Sequence, residues 1–398
     1  YINWVSQNSG LKIGLPVSDS YLGYSSDSMA DSRLEELTDN VLSLLFDSFS
    51  SENGGAIYNS SNENYNIKSG FIQNSATSSG GAIYNEGSLG EISSIFIGNS
   101  AEENGGALYN KGSINNINSD FEANYSVNGG ALYNDENSVI TNVSGSFIGN
   151  YSRHNTSIVY GGAIYNLGEM GLSDTTFIGN YAYSMGEKSF GGAIYNDGTL
   201  LEINNVEFIK NYARSTTSNG YGGAIYNVGS IGDIVADFNN NYVYTIGSFG
   251  GAIYNEANST IKSITGEFNN NSVNSSFSTT TADAFGGAIY NLGQITNGIK
   301  NSSFLGNYAI SSTDGNALGG AIYTNSDLNL VADNYNSVFS GNYTQKSGEA
   351  KDYNAIYVNS DNDSQTVLTL STLNNGSFVF NDNINGKNGY QIKVQSHD

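Results

Sequence analysis

A single right-handed parallel β-helix of about eleven coils is the fold this sequence predicts. Three observations predict it: a Gly-Gly-Ala-Ile-Tyr-Asn block that recurs along the chain, a Phe-x-x-Asn block that follows each copy, and period-two alternation between them. Self-similarity at a fixed period marks a solenoid, and alternation with a period of two marks strands rather than helices.

The first glycines of the glycine block are Gly54, Gly80, Gly105, Gly129, Gly161, Gly191, Gly222, Gly250, Gly286 and Gly319. Leu108 and Leu132 replace its Ile, Thr324 replaces its last Asn, and a degenerate copy, Asn354 to Tyr357, lacks the glycines. The second block stands at Phe71/Asn74, Phe96/Asn99, Phe121/Asn124, Phe147/Asn150, Phe177/Asn180, Phe208/Asn211, Phe238/Asn241, Phe268/Asn271, Phe304/Asn307, Phe339/Asn342 and, in weaker form, Phe378/Asn381. The step from Gly-Gly to Phe barely changes between Gly54–Phe71 and Gly286–Phe304. The step from Asn to the next Gly-Gly grows from Asn74–Gly80 to Asn271–Gly286. One part of each repeat is therefore rigid framework, and the other carries a variable loop at one corner. Runs such as Ser88-Leu89-Gly90-Glu91-Ile92 between the blocks give roughly three short strands per repeat. Coils stacked at the strand spacing make a rod on the order of 50 Å long.

In-register coils stack like residues into ladders. Phe96, Phe147 and Phe177 should point inward, because the residue after each Phe varies freely along the chain. Ile of the glycine block should also point inward, since it exchanges only with Leu. Tyr84, Tyr165 and Tyr195 would then face outward or toward a covering loop, in a column from Tyr58 to Tyr357 whose rings stack. Asn99, Asn150 and Asn180 suit a left-handed turn, with side-chain amides bonded to the next rung. Paired glycines suit positive φ and close packing between coils. The single proline fits a fold made almost wholly of ladder hydrogen bonds.

The ends need covering. Residues 1–50 are expected to form an N-terminal cap, with an amphipathic helix over about 32–47. Ser32 and Glu35 make a capping-box pattern, and Leu34, Leu37, Val41, Leu44 and Leu45 fall on one helical face. Residues 51–345 form the repeats, and 346–398 degenerate coils or a C-terminal cap.

The paired Gly-Gly-Ala-Ile and Phe-x-x-Asn motifs, over roughly residues 51–345, resemble those of the polymorphic outer-membrane protein family of chlamydiae. They also look like repeats of autotransporter passengers and large β-helical adhesins. The resemblance implies a non-catalytic adhesin, extracellular or on the outer membrane of a bacterium. Its partner would be a protein or glycan on a host or neighbouring cell, with self-association a further expectation. The sequence departs from an autotransporter in ending without a β-barrel pattern. It begins with Tyr1 rather than Met, as a trimmed fragment would.

Composition narrows the function. Acidic residues outnumber basic ones 37 to 14, for a net charge of −23. Such a chain repels phosphate, so nucleic acid is not its partner, and an anionic membrane surface is disfavoured. With no cysteine there is no disulfide frame or thiolate metal site. No apolar run is long enough to span a bilayer as a helix. No catalytic, cofactor-binding or metal-ligating set emerges, and no cofactor is expected. His154 lies in a loop and His397 near the end. Acids such as Asp120, Glu207, Asp237 and Glu267, just before the Phe, read as a solvated stripe, with cation or carbohydrate contact as the sharper reading. A structural surface-layer, filament or matrix component remains the first alternative. A polysaccharide lyase or hydrolase, which needs placed carboxylates, is the second.

The variable segments 151–160, 181–190, 212–221, 242–249, 272–285 and 308–318 are the candidate binding ridge. Just before the glycines the early coils carry Asn53, Ser79, Asn104 and Asn128. The later ones carry Tyr160, Phe190, Tyr221, Phe249, Phe285 and Leu318. These rings are expected to pin the loop bases and to mark where a partner is gripped.

Overall fold

The computed structural model describes residues 11–13, 45–278, 280–360, 365–387 and 390–397. Among these residues every regular element is a strand, and the strands stack in parallel as a β-helix. A coil begins with the Ile-Tyr-Asn strand of the glycine block, such as Ile83–Asn85. A long strand ending in the Phe block follows, such as Ser113–Glu122. A third, shorter strand leads back toward the next glycines, as in Ser75–Ser79. Each kind pairs only with its own kind, giving sheets of 13, 18 and 11 strands. The one antiparallel member of the first sheet is Leu11–Ile13, laid along Ile57–Asn59.

Register makes the ladders. Phe71, Phe96, Phe121, Phe147, Phe177, Phe208, Phe238, Phe268, Phe304 and Phe339 are all fully buried. Their rings stack face to face, as in Phe96–Phe121 at 4.7 Å and Phe147–Phe177 at 4.9 Å. Burying each such side chain contributes roughly 1.5–3 kcal/mol. Ile of the glycine block, with Leu108 and Leu132, fills the opposite wall of the same core.

The Asn of Phe-x-x-Asn closes the corner. Asn99 Nδ2 donates to Asn124 Oδ1 at 2.9 Å and to the carbonyl of Phe71 at 2.9 Å. Its Oδ1 accepts from the backbone and side-chain N–H groups of Asn74. Each amide thus uses all four of its hydrogen bonds while fully buried. The same pattern repeats at Asn150 and Asn180. A second asparagine ladder, from Asn59 through Asn291, ends on the hydroxyl of Thr324.

One detail differs from the sequence reading. The left-handed residue at this corner is the one before the Asn, as at Gly98, Gly149, Gly179, Lys210 and Asn240. The Asn itself must turn inward to bond its neighbours, so its predecessor absorbs the turn.

The glycine pair divides its work. Gly191 has φ +64°, where a side chain is strained. On Gly192, a Cβ would lie 2.1 Å from the carbonyl oxygen of Gly223, so the chains of adjacent coils touch there.

The ends depart further from expectation. Residues 32–44 of the expected capping helix lie outside the described residues. Its last three, Leu45–Asp47, are a strand paired in parallel with Gly70–Ile72. Phe46 stacks on Phe71 at 5.1 Å and so takes the lowest place in the phenylalanine ladder, while Leu45 is exposed. At the other end Phe380, not Phe378, is in register with Phe339. Asp382, not Asn381, terminates the asparagine ladder. Its carboxylate accepts from Gly341 N–H, Asn342 N–H and Asn342 Nδ2. A ladder whose last amide has only donors left over is completed by an acceptor, and a carboxylate supplies it.

Candidate partner-binding surface

The variable segments are not loose loops. Tyr151–His154, Tyr181–Ser184, Tyr212–Ser215 and Tyr242–Tyr244 continue the third sheet outward. After a short turn the chain returns through two-residue strands, Val159–Tyr160, Ser189–Phe190, Gly220–Tyr221, Ser248–Phe249, Ala284–Phe285 and Ala317–Leu318. These form a six-stranded fourth sheet. The expectation of a plain loop gives way because the inward residues are small. Ala213, Val243, Val273, Ala284 and Ala309 form a separate buried cluster. The outgoing and returning strands close on each other, and the result is a thin fin along one edge of the rod.

Hydroxyls lock its base and turns. Ser152 Oγ donates to the carbonyls of Tyr160 and Gly161. Ser184 Oγ donates to Ser157 O, and Ser215 Oγ to Glu187 O, each in the neighbouring coil's turn. His154 Nδ1 accepts from the backbone N–H groups of Thr156 and Ser157, so this histidine shapes a turn.

One face of the fin looks back at the tyrosine column. Tyr160, Phe190, Tyr221, Phe249 and Phe285 are brought together there, half-buried, in one row. Tyr160 stacks on Tyr165 at 5.4 Å and meets Tyr195 edge-on at 4.7 Å. Phe190 meets Tyr226 edge-on at 4.7 Å, and Tyr221 meets Tyr254 at 5.3 Å. The row covers Tyr195, Tyr226 and Tyr254, which are buried, whereas Tyr84 in the finless coils is half-open. Burial drives the hydroxyls of Tyr195, Tyr226 and Tyr254 far above the usual phenol range. Tyr226 still donates a 2.6 Å hydrogen bond to Glu256 Oε2.

The other face is open to solvent and was missed in reading the sequence. It carries Tyr125, Tyr151, Tyr181, Tyr212 and Tyr242 in one register column, their rings stacked at 4.9–5.2 Å. Beside it runs a second column, Arg153, Tyr183, Arg214 and Tyr244. The signal was present: a Tyr directly follows the Asn of the Phe block in those coils.

The acids do not converge. Asp120 accepts from Ser146 Oγ, and Asp237 from the backbone N–H of Glu267. Among the described residues no group of three or more His, Asp or Glu side chains is placed to hold a metal ion. No helix among them is long and apolar enough to cross a membrane.

Four stretches, residues 71–86, 93–111, 174–197 and 205–228, match the family model of the Chlamydia polymorphic membrane protein repeat. In these four places the chain is similar to polymorphic membrane protein repeats. Each matched stretch runs from a Phe block through the following glycine block. The repeat unit is therefore the corner of the coil, and in 174–197 and 205–228 it includes the fin. Polymorphic membrane protein repeats on a parallel β-helix are consistent with a cell-surface, autotransporter-passenger type of protein. No curated protein and no solved structure matches the chain.

Proposed function

We propose that this protein is a non-catalytic adhesin-type passenger on the bacterial surface, and that it grips a protein or glycan of another cell through the fin. One observation carries the reading. The framework ladders barely change from coil to coil, while the fin turns, 155–158, 185–188, 216–219, 245–247, 275–283 and 312–316, differ in sequence and, after the first three, in length. A rigid array that holds its variable positions along one edge suits recognition, since repeat insertions commonly map to the binding face. The five aromatic residues from Tyr160 to Phe285 act in this reading as the fixed hinge side of the fin.

The test is cell binding by the purified rod beside a variant in which the six turns are replaced by Gly-Asn connections. Loss of binding with the melting temperature preserved supports the proposal. Binding that survives the replacement sends the contact elsewhere on the rod.

A further inference from the structure

The solvent-facing side of the fin has a feature the repeat does not require. The sequence contains three arginines, and two of them, Arg153 and Arg214, stand in one column on this face. Tyr183 occupies the rung between them, with guanidinium-to-ring distances of 5.6 Å and 5.2 Å. Arg214 also lies 5.9 Å from the ring of Tyr244, and Phe277 extends the row by packing on Tyr244 at 4.5 Å. Arg214, held between two rings, has its faces occupied and turns its N–H edge outward; Arg153 covers Tyr183 from one side, with one Nη2 donor 4.0 Å from Met185 Sδ and the rest of its fork open. Both arginines are exposed, and among the described residues neither is paired with a carboxylate; the ion pairs are Lys111–Glu86 and Lys262–Asp233.

The surroundings reinforce this. The strands Tyr151–His154, Tyr181–Ser184, Tyr212–Ser215 and Tyr242–Tyr244 contain no acid. In the first four fin turns Glu187 is the one acid, and Lys188 adjoins it. On a chain of net charge −23 a face whose strands lack acids and carry two arginines unpaired with carboxylates is the exception. It attracts anions that the rest of the rod repels.

We propose that this face binds an acidic polysaccharide bearing one carboxylate per disaccharide. The inference rests on the fin being the partner-binding element, and it names the ligand. The two arginines are two rungs apart, about 10 Å at the spacing of neighbouring strands. That distance matches the repeat of an extended disaccharide, so successive carboxylates meet successive guanidinium forks, each able to accept two N–H bonds. The tyrosine column alongside offers a line of phenol hydroxyls at one per rung, suited to sugar hydroxyls. The columns run in register along successive rungs, a straight line of contacts that suits a stiff glycan.

The experiment measures binding of a hyaluronan octasaccharide to the whole chain and to Arg153→Gln/Arg214→Gln. A neutral cellulose-derived oligosaccharide and poly-L-glutamate serve as comparison ligands. The expected result is salt-sensitive binding of hyaluronan, at least tenfold weaker in the double variant, and none of the neutral oligosaccharide. Arg153→Lys/Arg214→Lys should fall between, since lysine keeps the charge and loses the fork. Both positions are exposed, so circular dichroism should be unchanged. Absent hyaluronan binding, or affinity unaffected in the Gln variant, overturns the proposal. Poly-L-glutamate bound as tightly overturns it in favour of an acidic peptide. Cell binding lost on fin-turn replacement, but kept in the Gln variant, would leave the fin reading standing and remove only this ligand.

Discussion

The coils up to Tyr133 and the finned coils after it are built from one repeat, yet their tyrosines live in different surroundings. In the lower coils Tyr58, Tyr84, Tyr109 and Tyr133 stack nearly parallel at 4.7–5.2 Å. The position before each glycine pair is polar there, and it forms its own hydrogen-bonded row: Asn104 donates to Ser79 and Asn128 to Asn104. At Tyr165 the stack breaks. Tyr133–Tyr165 and Tyr165–Tyr195 are edge-on, with interplanar angles of 85° and 81°. Stacking resumes at Tyr195–Tyr226 under cover. The cause sits one position away: Asn128 is in register with Tyr160, so the polar row ends where the aromatic row begins. A single register position, changed from amide to ring, turns a column half-open at Tyr58, Tyr84 and Tyr109, and already buried at Tyr133 next to the junction, into one covered at Tyr195, Tyr226 and Tyr254. The framework beneath is untouched.

If the framework is common to both regions, damage to it should hurt both equally. Gly81→Ala and Gly192→Ala each place a Cβ 2.1 Å from a glycine carbonyl oxygen of the next coil. Each should cost on the order of 4 kcal/mol or more, measured by chemical denaturation. A tolerated substitution in one region only would show that the two frameworks differ. The tyrosines should then separate the regions. Tyr226→Ala empties a buried site and removes the donor to Glu256 Oε2, for about 3–4 kcal/mol. Tyr84→Ala removes an open stack and should cost about 1 kcal/mol. Equal losses would mean that the fin's aromatic row covers without stabilising.

The framework was legible because every coil restates it. Phe, Ile and Asn occupy positions where only one side-chain shape can bond its own copy above and below, so their identity repeats. The fin was half legible. Tyr160 and Phe190 announced a change at the right position, but small residues such as Ala182 and Ala213 carry no pattern that separates a packed strand from a loop. Arg153 and Arg214 could not be linked in sequence, since their contact through Tyr183 exists only once three coils are in register. At the upper end the expected Phe slipped by two residues and the ladder's last residue by one, because Phe378 and Phe380 are equally apolar and the choice is made by stacking on Phe339.

Smaller effects sharpen the comparison at the junction position itself. Phe190→Asn restores the lower-coil residue type in a finned coil. It should cost about 1–2 kcal/mol, for half-buried apolar area lost against Tyr195 and Tyr226. Asn104→Ala, in the lower region, loses part-buried hydrogen bonds to Ser79 and Asn128 and should cost about 0.5–1 kcal/mol. The order of these two losses in thermal or denaturant melts is the result that matters. Its reversal would place the stabilising work in the amide row rather than the aromatic one.

Alkali should resolve the regions without any change of packing. In the lower column a hydrogen bond to Glu86 pushes Tyr58 up to about 12 and burial does the same for Tyr84, while Tyr109, buried further and bonded to Asp135, goes higher and titrates with the covered set. Burial drives Tyr226 and Tyr254 higher still. An unfolded tyrosine loses its proton near pH 10. Between pH 10 and 12 the unfolded chain therefore binds fewer protons than the folded one. Stability present below pH 10 declines as pH rises through that window. Within it, phenolate absorbance that appears reversibly should come from open positions, and phenolate from the covered column only as the rod unfolds. Tyr84→Phe should remove part of the reversible signal near pH 12, and Tyr226→Phe part of the signal that accompanies unfolding. A reversible component lost in Tyr226→Phe would mean that water reaches beneath Phe190 and Tyr221 in the folded rod, and that the covered column is covered only in part.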